Sequence, residues 1–122
     1  VLLICADTTG AEGPSLVDAA DHILASGAGY VCCWGPDCER LHDCFDEAST
    51  VRGVRGDGVV MTTWHSNEPL EEAAWFATHS AIPERHYEAA FGSVVLAAIG
   101  SNQWFDQLTS YLAAGAPMMD EA

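Results

Sequence analysis

The sequence predicts a three-layer α/β/α domain around a four-stranded parallel sheet, with residues 1–122 as one unit. Three observations carry that expectation. Four short apolar runs are spread along the chain, each is followed by a stretch with helical periodicity, and glycine or proline marks the junctions. Strands apolar along their whole length are those buried on both faces. Alternation with helices implies right-handed crossovers and a parallel sheet.

Residues 1–6 (VLLICA) read as the first strand, ending at Asp7. The loop DTTGAEG follows, and Pro14 and Ser15 start a helix with Leu16, Ala20, Ile23 and Leu24 on one stripe. Gly27 and Gly29 stop it, and residues 30–34 form the second strand. Gly35, Pro36 and Asp37 open a second helix, with Cys38, Leu41, Phe45 and Ala48 facing inward. The glycine-rich connector VRGVRGDG leads to the third strand, residues 59–64. Its Arg55-Gly56-Asp57 tripeptide occurs in integrin ligands and reads as chance in this chain. Residues 66–69 open the third helix, with Leu70, Ala73, Ala74 and Ala77 on one face. After Pro83, residues 84–92 read as a short helical turn, and residues 93–99 as the fourth strand. Ser101 or Asn102 caps the last helix, whose stripe is Trp104, Leu108, Tyr111 and Leu112. Gly115 and Pro117 end it, and residues 118–122 read as a loose tail.

At 122 residues one core is feasible, since roughly two-thirds of the unfolded surface can be buried at that length. No run reaches the roughly 18–20 apolar residues of a membrane span. No basic-then-apolar leader opens the chain, and Val1 reads as a trimmed start of a bacterial cytoplasmic protein. The net charge is −14, and all four basic residues (Arg40, Arg52, Arg55, Arg85) are arginine. Such a surface repels nucleic acid and anionic membranes, leaving a small molecule or a protein as the expected partner. Trp75, Phe76 and Phe105 lie beside the helix stripes, where they form a homodimer surface or widen the core.

The expected strand order is 2-1-3-4, with its switch point between strands 1 and 3. Ligands of open α/β sheets bind beyond the carboxyl ends of the strands, at that point. The rule gathers Asp7, Thr8, Thr9 and Gly10 with Thr63, Trp64 and His65, and adds Asn102 from the loop after strand 4. Hydroxyls, a glycine and a helix N-terminus suit a phosphate, Trp64 a flat ring, and His65 with Asp7 a proton transfer. Arg40 is the arginine that reaches this edge, while Arg52, Arg55 and Arg85 fall at the other. Whether the domain is an enzyme stays open.

The loop Asp7-Thr8-Thr9-Gly10-Ala11-Glu12 and the segment Thr62-Thr63-Trp64 resemble the phosphate loop and flavin-stacking tryptophan of the flavodoxins. The resemblance implies a flavodoxin-like fold, FMN as a cofactor and one-electron transfer. A fifth strand is missing from the pattern, and Glu12-Gly13 stands where the phosphate loop carries a late hydroxyl.

The five cysteines are Cys5, Cys32, Cys33, Cys38 and Cys44. Their odd number and the adjacent pair argue against a disulfide framework. Three readings compete. Cys33, Cys38 and His42 can approach one another as metal ligands, although the paired zinc spacing is absent, so no metal is assigned. Cys33 and Cys38 are thiol candidates, the latter at a helix N-terminus that favours thiolate. The favoured reading is packing, because free cysteine behaves as a small hydrophobe.

Overall fold

A computed structural model describes residues 1–54, 60–83 and 93–117. The Arg55-Gly56-Asp57 tripeptide, Arg85, the turn at 84–92 and the tail 118–122 lie outside the described residues. The elements are β1 (Leu2–Cys5), α1 (Gly13–Ala25), β2 (Tyr30–Trp34), α2 (Cys38–Val54), β3 (Met61–His65), α3 (Leu70–His79), β4 (Val95–Ala98) and α4 (Asn102–Ala113). The expected alternation is therefore present, with α1 and α2 packed together and α3 packed on α4.

All strand pairs are parallel, and their order is β3-β2-β1-β4. This corrects the expected 2-1-3-4: β3 pairs with β2, in the register Cys32↔Thr63 and Trp34↔His65, and does not touch β1. Composition explains the difference. Val31, Cys32 and Cys33 of β2 are fully buried, which requires a strand on either side and a helix on either face. Strand β3 carries Thr62, Thr63 and the exposed Met61 and Trp64, side chains suited to an edge. The switch point accordingly falls between β1 and β4.

Side-chain alternation divides the core. Leu3, Cys5, Tyr30 and Cys32 pack against α3 and α4, while Ile4, Val31 and Cys33 pack against α1 and α2. On α3 the buried Ala73, Ala74 and Ala77 let the helix lie close to the sheet. Phe45 of α2 is fully buried, and burying such a side chain is worth about 1.5–3 kcal/mol. Phe76 lies edge-on to Tyr30, with centroids 6.1 Å apart, so it widens the core; Phe105 stays exposed. Leu112, expected on the inward stripe of α4, is exposed as well, because Leu108 and Tyr111 carry the contact.

The carboxyl ends of β1 and β2 are clamped together. Gly35 has φ +124°, and a Cβ there would sit 2.1 Å from the carbonyl oxygen of Ala6. Replacement by alanine thus combines backbone strain with a steric clash. Gly10 also has positive φ (+79°) but faces open space. Gly35→Ala is expected to cost about 2–4 kcal/mol in urea unfolding, against about 1–2 kcal/mol for Gly10→Ala. Equal midpoints for the two variants would contradict the clamp.

Candidate functional site

The carboxyl edge of the sheet holds a cleft of about 440 Å³. Trp34, Gly35, Pro36 and Asp37 come from the end of β2 and its loop; His65, Ser66, Asn67 and Glu68 come from β3 and its loop; Trp104 comes from the first turn of α4. Ser101 caps that helix by accepting the Trp104 backbone N–H at 3.2 Å, which fixes where the indole starts. The Trp34 and Trp104 rings meet edge to face, with centroids 5.2 Å apart and planes at 85°. Trp34 Nε1 donates to the Glu68 carbonyl at 2.9 Å, tying the β2 tryptophan to the β3 loop. Asp37 and Asn67 both adopt left-handed backbone (φ 63° and 60°), an uncommon conformation for residues other than glycine.

His65 forms the cleft's fixed point. It belongs to β3 itself, one residue beyond the expected strand end. Its Nε2 lies 2.9 Å from Thr63 Oγ1, and its Nδ1 contacts the Glu68 carboxylate. The ring also lies 4.8 Å from that of Phe76. The contacting oxygen, Glu68 Oε1, is sealed from solvent and finds no other polar neighbour among the described residues. With both nitrogens engaged, the imidazole has no ring nitrogen left in this conformation to accept a proton from a ligand.

The residues expected to converge do so only in part. Thr63 and His65 share a face, two residues apart on β3. Trp64, between them, points to the opposite face of the sheet, where its ring lies 4.6 Å from that of His42. The loop after β1 is separated from β3 by the whole of β2, so Asp7, Thr8, Thr9 and Gly10 do not line the cleft. Asn102 is exposed on α4 and is not among the lining residues either.

The β1 loop is closed on itself. The Thr8 N–H donates to the Pro36 carbonyl (3.2 Å), Ala11 N–H to the Thr8 carbonyl (3.1 Å), and Thr9 N–H to the Asp7 carboxylate (2.9 Å). Hydrogen bonds from the Thr9 side chain and backbone hold the Asp7 carboxyl below its ordinary value. Buried Thr8 donates its hydroxyl to the Asp37 carbonyl at 3.1 Å. Arg40 donates to the Asp37 carboxylate (2.7 Å) and to the carbonyls of Ala11 (2.6 Å) and Thr8 (2.5 Å). Those amides and that guanidinium are therefore spent inside the protein. With the threonine hydroxyls and the Arg40 guanidinium occupied in this way, the loop does not present the side-chain donors a flavin phosphate would use, and these residues do not fit FMN.

Cys33, Cys38 and His42 do not assemble as a ligand set. Among the described residues, the His/Cys/Asp/Glu group whose ligand atoms lie within 4.8 Å of one another is His42, Asp43 and Asp46. His42 sits between the two carboxylates, Nδ1 at 3.0 Å from Asp43 and Nε2 at 3.4 Å from Asp46. A divalent cation is what such donors can hold, and neither cysteine belongs to the group. Cys38 Sγ instead lies 3.6 Å from Ser66 Oγ. All five thiols are free and buried, as the packing reading expects.

Of the cleft's lining only His65 stood in the sequence-derived site; Trp34, Glu68 and Trp104 are the most consequential of the residues it left out. Two signals pointed to the tryptophans: Trp34 ends a strand at a Gly35-Pro36 turn on the carboxyl edge, and Trp104 opens the helix after the loop that follows β4.

Fold and cleft together define a small three-layer α/β domain with a ligand-sized recess at its carboxyl edge. The chain belongs to a family described as Domain of unknown function (DUF7684), which matches residues 1–115. No curated protein and no solved structure matches it.

The buried thiols imply a pH dependence. Burial pushes Cys5 up to about 12 and Cys32 up to about 11, and also raises Cys33 and Cys44. A thiol in the unfolded chain ionises near 9.0. The unfolded state therefore loses these protons first, so stability is full below that pH and declines as pH rises through the folded values. The urea midpoint should hold steady from about pH 7 to 8 and fall between about pH 9 and 11. Native protein should react with Ellman's reagent at fewer than about one thiol per chain, against all five in guanidinium. Rapid labelling of the native fold would contradict burial.

Proposed function

We propose that this domain binds a small organic molecule in the cleft between the β2 loop, the β3 loop and α4. The observation that carries the reading is the cleft's construction: two indoles form its walls around a histidine pinned at both nitrogens. A site built this way orders its side chains before the ligand arrives, which lowers the entropy cost of binding. Its volume of about 440 Å³ lies within the usual range for ligand sites. It lies beyond the carboxyl ends of β2 and β3, the edge at which open α/β sheets bind ligands, and to one side of the β1/β4 switch point. The left-handed Asp37 and Asn67 turn the β2 and β3 loops around the cleft, a conformation Asp and Asn adopt more readily than other side chains. No helix of the described residues is long and apolar enough to cross a membrane. Five free cysteines suit a reducing cytoplasm, which is the setting we propose.

A fragment screen read by two-dimensional NMR tests the proposal. Binders should move the indole N–H signals of Trp34 and Trp104 together. Trp104→Leu should weaken those binders by about tenfold or more while the fold remains cooperative. Fragments that map elsewhere, or that bind the variant unchanged, would overturn the reading.

A further inference from the structure

We infer that the cleft selects an organic cation, an ammonium or guanidinium group seated against Trp34 and Trp104 beside Glu68. The inference rests on the binding reading above and narrows its ligand class. Asp37 and Glu68 are the charged side chains of the lining, and no lysine or arginine joins them. Arg40 bonds to the Asp37 carboxylate and to two carbonyls, so those two charges offset each other and Glu68 is the carboxylate that sets the sign of the lining. An anion would have to approach a chain of net charge −14 and then meet the Glu68 carboxylate. A cation is drawn in by the same field, and the low-dielectric walls of a cleft concentrate it.

The aromatic pair adds specificity. In an edge-to-face pair one ring directs its edge at its neighbour, which leaves its own two faces clear of that neighbour. Indole faces are electron-rich and are the best aromatic partners for a cation. The Trp34 N–H is already donated to the Glu68 carbonyl, so that indole offers an incoming group its ring and not its donor. Glu68 is braced by His65 at the sealed Oε1, while its side chain as a whole keeps 22% of its surface open. Aromatic faces together with a braced carboxylate form a cation-binding surface.

The test titrates the native protein with choline and agmatine, with the uncharged choline isostere 3,3-dimethylbutan-1-ol, and with acetate. Binding is read by calorimetry and by the Trp34 and Trp104 indole signals. Choline or agmatine should bind about tenfold or more tightly than the isostere, and should weaken as salt is raised. Acetate should leave both signals in place. Glu68→Gln should weaken the cation by about fivefold or more and leave the isostere unchanged. The isostere comparison needs no variant, so it stands even if Glu68→Gln misfolds. Equal binding of the isostere would reject the cation class and keep the cleft. The cation class is rejected in the same way if the cations leave both indoles unmoved while neutral fragments shift them. If neither cations nor fragments reach the indoles, the cleft reading falls with the inference.

Discussion

At the carboxyl end of the sheet, the backbone of Gly35 lies against the carbonyl of Ala6, closer than any side chain would permit. That approach joins the loops after β1 and β2 into one rigid unit. Thr8 reaches across to the carbonyls of Pro36 and Asp37, and Arg40 reaches back from α2 to the carbonyls of Thr8 and Ala11. The Thr8, Thr9 and Ala11 amides, the Thr8 hydroxyl and the Arg40 guanidinium are therefore all occupied within the protein. The open space lies on the other side of the clamp, where Trp34 faces α4 and the β3 loop. The same contact closes one potential site and builds the wall of another.

Much of the architecture was legible because the signals were local. Pro14 at the start of α1, the alanine face of α3 and the serine before α4 each act within a few residues. Strand order is decided by competition among strands, and a run read alone does not express it. Yet the deciding chemistry was present: Val31, Cys32 and Cys33 can be buried on both faces without cost, whereas Thr62 and Thr63 favour an edge. Ranking the strands by polarity would have put β3 outside, but not β4, whose aliphatic VLAA sits at the other edge. The error in order then carried over to the site, because it made the β1 and β3 loops neighbours.

A second part of the site was obscured by periodicity. Trp64 and His65 are adjacent in sequence, and for that reason they face opposite layers. Each side of the sheet thereby has its own imidazole, aromatic ring and carboxylate. On one, Trp64 covers His42 between Asp43 and Asp46. On the other, Phe76 and Thr63 flank His65 against Glu68. The two arrangements differ in depth. Asp43 and Asp46 are largely exposed, so water and salt screen the His42 pairs. Glu68 Oε1 is out of solvent, where losing His65 would leave a sealed carboxylate oxygen without its polar contact.

The cysteines bear on the cleft through packing. Cys5 and Cys32 stand in the layer beneath α3 and α4, and both are fully buried. Small side chains there, together with the alanines of α3, let that helix settle close to the sheet. Leucines in those positions would lift α3, and with it Leu70 and the loop that carries Glu68. The distance from Trp34 Nε1 to the Glu68 carbonyl, 2.9 Å, depends on that closeness. A thiol is less apolar than a methylene group but far less costly to bury than a hydroxyl, since it is only a weak donor. The cysteines thus contribute to the site through their size, as thin packing beneath the helix from whose N-terminal loop Glu68 reaches the cleft.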